Sequence, residues 1–192
     1  SQQTNTYNRN GVVNFYLRRE QKLAEVMSEE GNYYVDNAGS KIRYFFIQTT
    51  GQARVTNTTC RWLINQLNLV PDGYYVVLIT HAAFDGWAHL TNPELYYGDR
   101  CRMSVIRLSQ ILGGYKTKSS GTVNELADYY DETGSSPYVT GSIQYDFTGA
   151  HGSPLCIIAG HMHKDKTLTE SGIRIILTTT DAYDMNDDTL VT

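Results

Sequence analysis

Two short apolar runs stand out from an otherwise mixed chain: Tyr74–Thr80 (YYVVLIT) and Leu155–Ala159. Nearly continuous runs of this length mark strands buried on both faces of a sheet. Tyr33–Val35 and Lys41–Gln48 (KIRYFFIQ) read as the two strands of a hairpin, separated by the turn-forming cluster Asn37–Ser40. Thr167–Glu170 and Ile173–Thr178 read as a second hairpin across Ser171-Gly172. Helical periodicity appears in Phe15–Met27, with Tyr16, Leu23 and Met27 on one face. It appears again in Thr56–Leu69, where Cys60, Leu63, Ile64 and Leu67 recur and Asn57 or Thr58 is placed to cap. Pro71-Asp72-Gly73 is a turn. A short helix is expected over Ser104–Leu112, stopped by Gly113-Gly114, with a further helical turn or two in Val123–Tyr130. Residues 1–11, Ala82–Arg102 and Thr133–Ser153 read as loops, and long loops inside a compact domain tend to be functional.

Composition narrows the picture only modestly. A length of 192 residues with 41% hydrophobic content fits one globular domain, and no repeat or linker divides it. The net charge of −4 does not point to a nucleic-acid surface. No apolar run approaches the roughly 20 residues of a membrane span. No signal peptide opens the chain, and the sequence leaves its location, cytoplasmic or virion-associated, unassigned. Cys60, Cys101 and Cys156 are odd in number and form no CxxC, which argues against a disulfide framework. Tyrosine outnumbers phenylalanine 15 to 5, a bias suited to exposed loops and to carbohydrate or protein contacts.

The chemistry concentrates where the two apolar runs end. Tyr74–Thr80 delivers His81, and Leu155–Ala159 ends at Gly160 and delivers His161 and His163 around Met162. Imidazole nitrogens ligate Zn, Mn, Fe and Ni. Residues i and i+2 of a strand point the same way, and a glycine at the strand end permits an unusual turn, so His161 and His163 can address one cavity. Two apolar strands ending in histidine form a candidate metal-ligand set: His81, His161 and His163.

These residues carry a resemblance. Gly160-His161-Met162-His163 resembles the GHxH signature of calcineurin-like metallophosphoesterases, and Val76–Phe84 (VVLITHAAF) is similar to that family's preceding strand-and-histidine motif. Lys41–Thr49, Arg61–Gly73 and Gly172–Tyr183 resemble the strands and the helix around those motifs, so the likeness covers roughly residues 33–183. The resemblance implies an α/β fold, a layered β-sandwich flanked by helices, with the site at strand ends. It implies a metal-dependent phosphoester hydrolase in which a hydroxide held by two divalent metals (Mn, Fe or Zn) attacks phosphorus. His81 and His161 would ligate one metal and His163 the other.

The chain also departs from the family pattern. It has no Asp-x-His. Gly98-Asp99-Arg100-Cys101-Arg102 has Arg in place of the second acid of Gly-Asp-x-x-Asp and follows His81 rather than preceding it. Gly31-Asn32-Tyr33 has Tyr in place of His in the third motif and reads as coincidence. The expectation is therefore a single-domain chain, 1–192, that is the carboxyl-terminal part of such an enzyme. Its partners would be a phosphoester substrate and a missing amino-terminal half that supplies the acids. Alone it would hold at most one metal, weakly, and be inactive. The alternative is a non-catalytic structural or binding module on the same fold, for example in a phage particle. His89, His151 and Asp165 read as loop or turn residues. Asp85 reads equally as a solvated acid or as a partner of His81. Trp87, Tyr96 and Tyr97 read as loop packing. The tail acids Asp181, Asp184, Asp187 and Asp188 do not match a calcium loop.

Overall fold

A computed structural model describes residues 28, 30–49, 54–82, 84, 97–127, 139–160 and 165–178, with the side chains of 97–102 left aside. The expected helix over Phe15–Met27, the acidic tail, His89, Asp85, Trp87 and Tyr96 lie outside the described residues. The fold is mixed α/β. Eight strands are described: β1 (Tyr33–Asn37), β2 (Ile42–Ile47), β3 (Tyr75–Thr80), β4 (Ser120–Leu126), β5 (Val139–Asp146), β6 (Ser153–Ala159), β7 (Lys166–Glu170) and β8 (Ile173–Leu177). Two helices accompany them, α1 (Asn57–Leu67) and α2 (Tyr97–Thr117).

Six strands form one sheet in the order β1-β2-β3-β6-β8-β7, and β4-β5 form a separate hairpin. The four inner strands are mutually parallel, and the antiparallel β1 and β7 close the two edges. Parallel neighbours require crossovers, which α1 supplies between β2 and β3. Register and alternation sort the side chains onto two faces. Phe45, Leu78, Ile157 and Ile175 pair across the sheet on one face and are almost fully buried. Cys60, Leu63 and Leu67 of α1, Leu108, Ile111 and Tyr115 of α2, and Val123, Ile143 and Phe147 of the hairpin join them in one core. On the opposite face Phe46, Ile79, Ile158 and Ile176 pair in the same way but are only half-buried. Tyr33 stacks on Phe46 there, with ring centroids 4.7 Å apart.

A bulge interrupts β6 early. Val76 pairs with Pro154, Val77 pairs with Cys156, and Leu155 is the extra residue. Proline donates no ladder hydrogen bond, so a bulge is where an inner strand accommodates one.

Four sequence expectations are corrected. Thr56, not Asn57 or Thr58, caps α1: its hydroxyl accepts from the Thr59 amide at 3.0 Å. Asn57 instead pairs with Leu126 at the end of β4, Nδ2 donating to its carbonyl and Oδ1 accepting from its amide. Helix α2 begins at Tyr97, inside the expected loop Ala82–Arg102, and runs through Gly113-Gly114 to Thr117. It stops at Lys118, which adopts left-handed geometry at φ 51°. The Lys118 and Ser119 amides then donate to the Tyr115 and Gly114 carbonyls, a Schellman pattern. The two glycines serve packing: a Cβ on Gly113 would lie 2.8 Å from the Ser171 carbonyl, and one on Gly114 would meet the Tyr145 ring. Val123–Leu126 is strand, not helix, and Val139–Asp146 replaces much of the expected loop Thr133–Ser153 with its hairpin partner. Tertiary pairing overrode weak local signals in both segments.

Candidate metal centre

The strands that carry the candidate ligands end level with one another. The Gly160 amide donates to the Thr80 carbonyl at 3.2 Å, and the Thr178 amide donates to the Ala159 carbonyl at 3.0 Å. The carboxyl ends of β3, β6 and β8 therefore lie side by side at one edge of the sheet. In open α/β sheets this is the edge where ligands bind. The Thr80 side chain is buried, and its hydroxyl accepts from the Ala82 amide at 3.3 Å. That bond turns the chain directly after β3. Ala82 and Phe84 then return to the core, which leaves His81 exposed on the turn.

His81 lies against Gly160. A Cβ built on Gly160 would stand 3.1 Å from His81 Nδ1 and 3.8 Å from Cε1. One candidate ligand thus sits beside the residue that immediately precedes the second, His161. His161 and His163 themselves lie outside the described residues. Among the described residues, no group of three or more His, Cys, Asp or Glu side chains is placed to hold a metal.

The remaining candidates separate clearly. His151 is at the other end of the sheet, before the first residue of β6, where its Nδ1 is 3.7 Å from Asp72 Oδ1 on an exposed turn. Its carbonyl accepts from Tyr115 Oη and from Lys118 Nζ. Asp165 is exposed just ahead of β7. Gly98–Arg102 form the first turns of α2. Asn32 is fully buried and occupied: its Oδ1 accepts from the Gln48 amide at 2.8 Å, and its Nδ2 donates to Thr59 Oγ1 and Ser28 Oγ. Glu30 accepts from the hydroxyls of Thr56 and Thr59 at the start of α1. Asn32 thereby ties β1, β2 and α1 together.

Sequence reasoning missed Arg107. It is 1% exposed, and its guanidinium donates to the carbonyls of Val55, Ser104 and Asn124 and to Asn57 Oδ1. The signal was available, because Arg107 falls on the same helical stripe as Ser104, Leu108 and Ile111. Its partners are neutral oxygens of α1, α2 and β4, so its role is to join those elements.

No family model and no curated protein sequence matches the chain. Its function must be argued from its own residues. No described helix is long and apolar enough to cross a membrane.

Proposed function

We propose that this chain supplies three histidine ligands, His81, His161 and His163, to a metal-dependent phosphoester hydrolase built on a layered β-sandwich of the calcineurin-like kind. The observation that carries the reading is the contact of His81 with Gly160 at the level ends of two parallel strands, because the next residue of the second strand's exit is His161. The donor chemistry fits a divalent cation: neutral imidazoles suit Zn, Mn or Fe. The half-buried apolar face formed by Phe46, Ile79, Ile158 and Ile176 supports the sandwich. Parallel strands are ordinarily covered on both faces, and both described helices lie on the other one.

Imidazoles alone hold one cation and not a close pair. Two dications about 4 Å apart repel by on the order of 15 kcal/mol at an effective dielectric near 20. Anionic ligands must offset that repulsion, and in this reading they come from sequence beyond these 192 residues. When bound, the metals would supply a nucleophilic hydroxide at neutral pH and stabilise the attacking and leaving oxygens. The chain's own part is positional. Thr80 fixes the turn, β3 and β6 bring their ends together, and the imidazoles present lone pairs without adding charge.

The test is metal binding by the purified chain. One Zn²⁺ or Mn²⁺ is expected to bind weakly, and each of His81→Ala, His161→Ala and His163→Ala is expected to weaken it. Hydrolysis of bis(p-nitrophenyl) phosphate should stay near background. Metal binding indifferent to all three substitutions would favour the non-catalytic module, and robust hydrolysis by this chain alone would refute the need for outside acids.

A further inference from the structure

An open groove of about 630 Å³ lies between α1 and the β4–β5 hairpin. That volume falls among small-molecule sites, which span roughly 300–1,000 Å³. Helix α1 leads from the carboxyl end of β2 back to the start of β3, so its last turn lies at the opposite end of the sheet from His81. One wall is the end of that helix, and the other is the paired segments 120–122 of β4 and 144–146 of β5.

The lining excludes several ligand classes. It contains no Lys, Arg or His, and Asp146 is its one carboxylate. The Thr148 amide and hydroxyl both donate to Asp146 Oδ1, which holds that carboxyl below the usual carboxylate range and keeps it charged. An anionic ligand would meet a like charge with no cation to offset it. A single carboxylate is too few ligands for calcium or magnesium.

What remains on offer is neutral hydrogen bonding. Asn65 and Asn68 are three residues apart on α1 and its cap, so they share a face. Asn65 is exposed and makes no side-chain hydrogen bond among the described residues, while Asn68 Nδ2 donates to the Ile64 carbonyl. The Tyr145 hydroxyl is located by two glycines: its oxygen stands 2.5 Å from where a Cβ on Gly121 would lie and 2.8 Å from one on Gly114. Gly121 itself lines the groove. Tyr145 is half-buried, and among the described residues its hydroxyl has no hydrogen-bond partner. Half-buried polar groups of this kind are satisfied by water or by a ligand.

We propose that this groove binds an uncharged oligosaccharide, with Asn65 and Tyr145 supplying hydrogen bonds to its hydroxyls. An amide both donates and accepts, as a sugar hydroxyl does, and the tyrosine hydroxyl can do either. The Tyr145 ring and Ile64 add the apolar surface that a sugar's C–H groups pack against. The inference is independent of the metal-centre reading.

The experiment titrates the full chain with maltohexaose, cellotetraose, chitotetraose and mannotetraose, and separately with inorganic phosphate. Each is taken to about 10 mM, above a millimolar dissociation constant, and amide NMR resonances are followed. At least one sugar should shift resonances of residues 64–68, 120–122 and 144–146 and leave those of β7 and β8 in place. Phosphate should shift none of them. Asn65→Ala and Tyr145→Phe each remove one neutral hydrogen bond and should weaken that sugar by about 3- to 10-fold. Both should keep the wild-type melting temperature, because neither group is bonded within the described protein. Silence of these resonances toward all four sugars overturns the proposal. Sugar binding that ignores both substitutions overturns it too, as does phosphate binding in the groove.

Discussion

Gly114→Ala separates local propensity from packing because the two predict opposite signs. Gly114 lies inside α2, three residues before its end. Alanine at an interior helical position should stabilise by about 1 kcal/mol relative to glycine. Here the added methyl would lie within 2.8 Å of the Cε2, Cζ and Oη atoms of Tyr145. That ring cannot simply swing away. It stacks on Phe147 at 5.2 Å with an interplanar angle of 22°, and it also covers Gly121, its partner across the hairpin. Overpacking of this kind costs about 1–3 kcal/mol, and the close approach of three ring atoms places this site at the upper end. Set against the propensity gain, Gly114→Ala should destabilise by about 2 kcal/mol. Urea unfolding monitored by fluorescence reads this as a lower midpoint at unchanged slope. In a Tyr145→Ala background the obstacle is gone, and the same change should stabilise by up to about 1 kcal/mol. A stabilising Gly114→Ala in the wild type would refute the packing account and restore the glycine pair to the role of a helix stop.

Arg107→Met should cost about 3–5 kcal/mol in the same assay, because it leaves the Val55 and Asn124 carbonyls without their buried donor, and a loss below 1 kcal/mol would show that water replaces it. Thr56→Ala should cost about 1–2 kcal/mol through loss of the α1 cap, and Thr56→Ser should recover most of it. Burial pushes the Cys60 thiol up from 9.0 to about 11. Its contribution is complete below pH 9, where both states are protonated, and is lost as the pH rises toward 11, where only the unfolded state gains from ionising. The wild type should therefore lose about 2–3 kcal/mol more than Cys60→Ala between those limits, and identical pH profiles would contradict the burial. The thiol should also resist Ellman's reagent at pH 8 in the native chain.

The parallel strands and α1 were legible because continuous apolar runs and 3.6-residue periodicity report burial directly. Both hairpins of the main sheet were legible from their turn residues. The β4–β5 hairpin was not. Ser120–Leu126 and Val139–Asp146 are mostly polar, and each carries only a few inward-facing apolar residues, Val123 and Leu126 on one strand and Ile143 on the other. The end of α2 was misread for a related reason: Lys118 adopts the left-handed cap that glycine usually occupies, while the true glycines answer to Ser171 and Tyr145 across the fold. At the candidate site, the apolar strand that ends at His81 was readable from the chain. The approach of His81 to Gly160 was not, since closeness between residues 81 and 160 leaves no trace in either neighbourhood.

The extra residue at Leu155 confines the irregularity of the sheet to one particular place. Above it β6 keeps step with β3 through Cys156–Ala159, and below it the pairing is shifted by one. Removing Leu155 would make the ladder regular without rotating any side chain beyond it. The irregularity is thus confined to the amino-terminal end of β6, while the far end of the same strand holds its phase with β3 up to Gly160, beside His81.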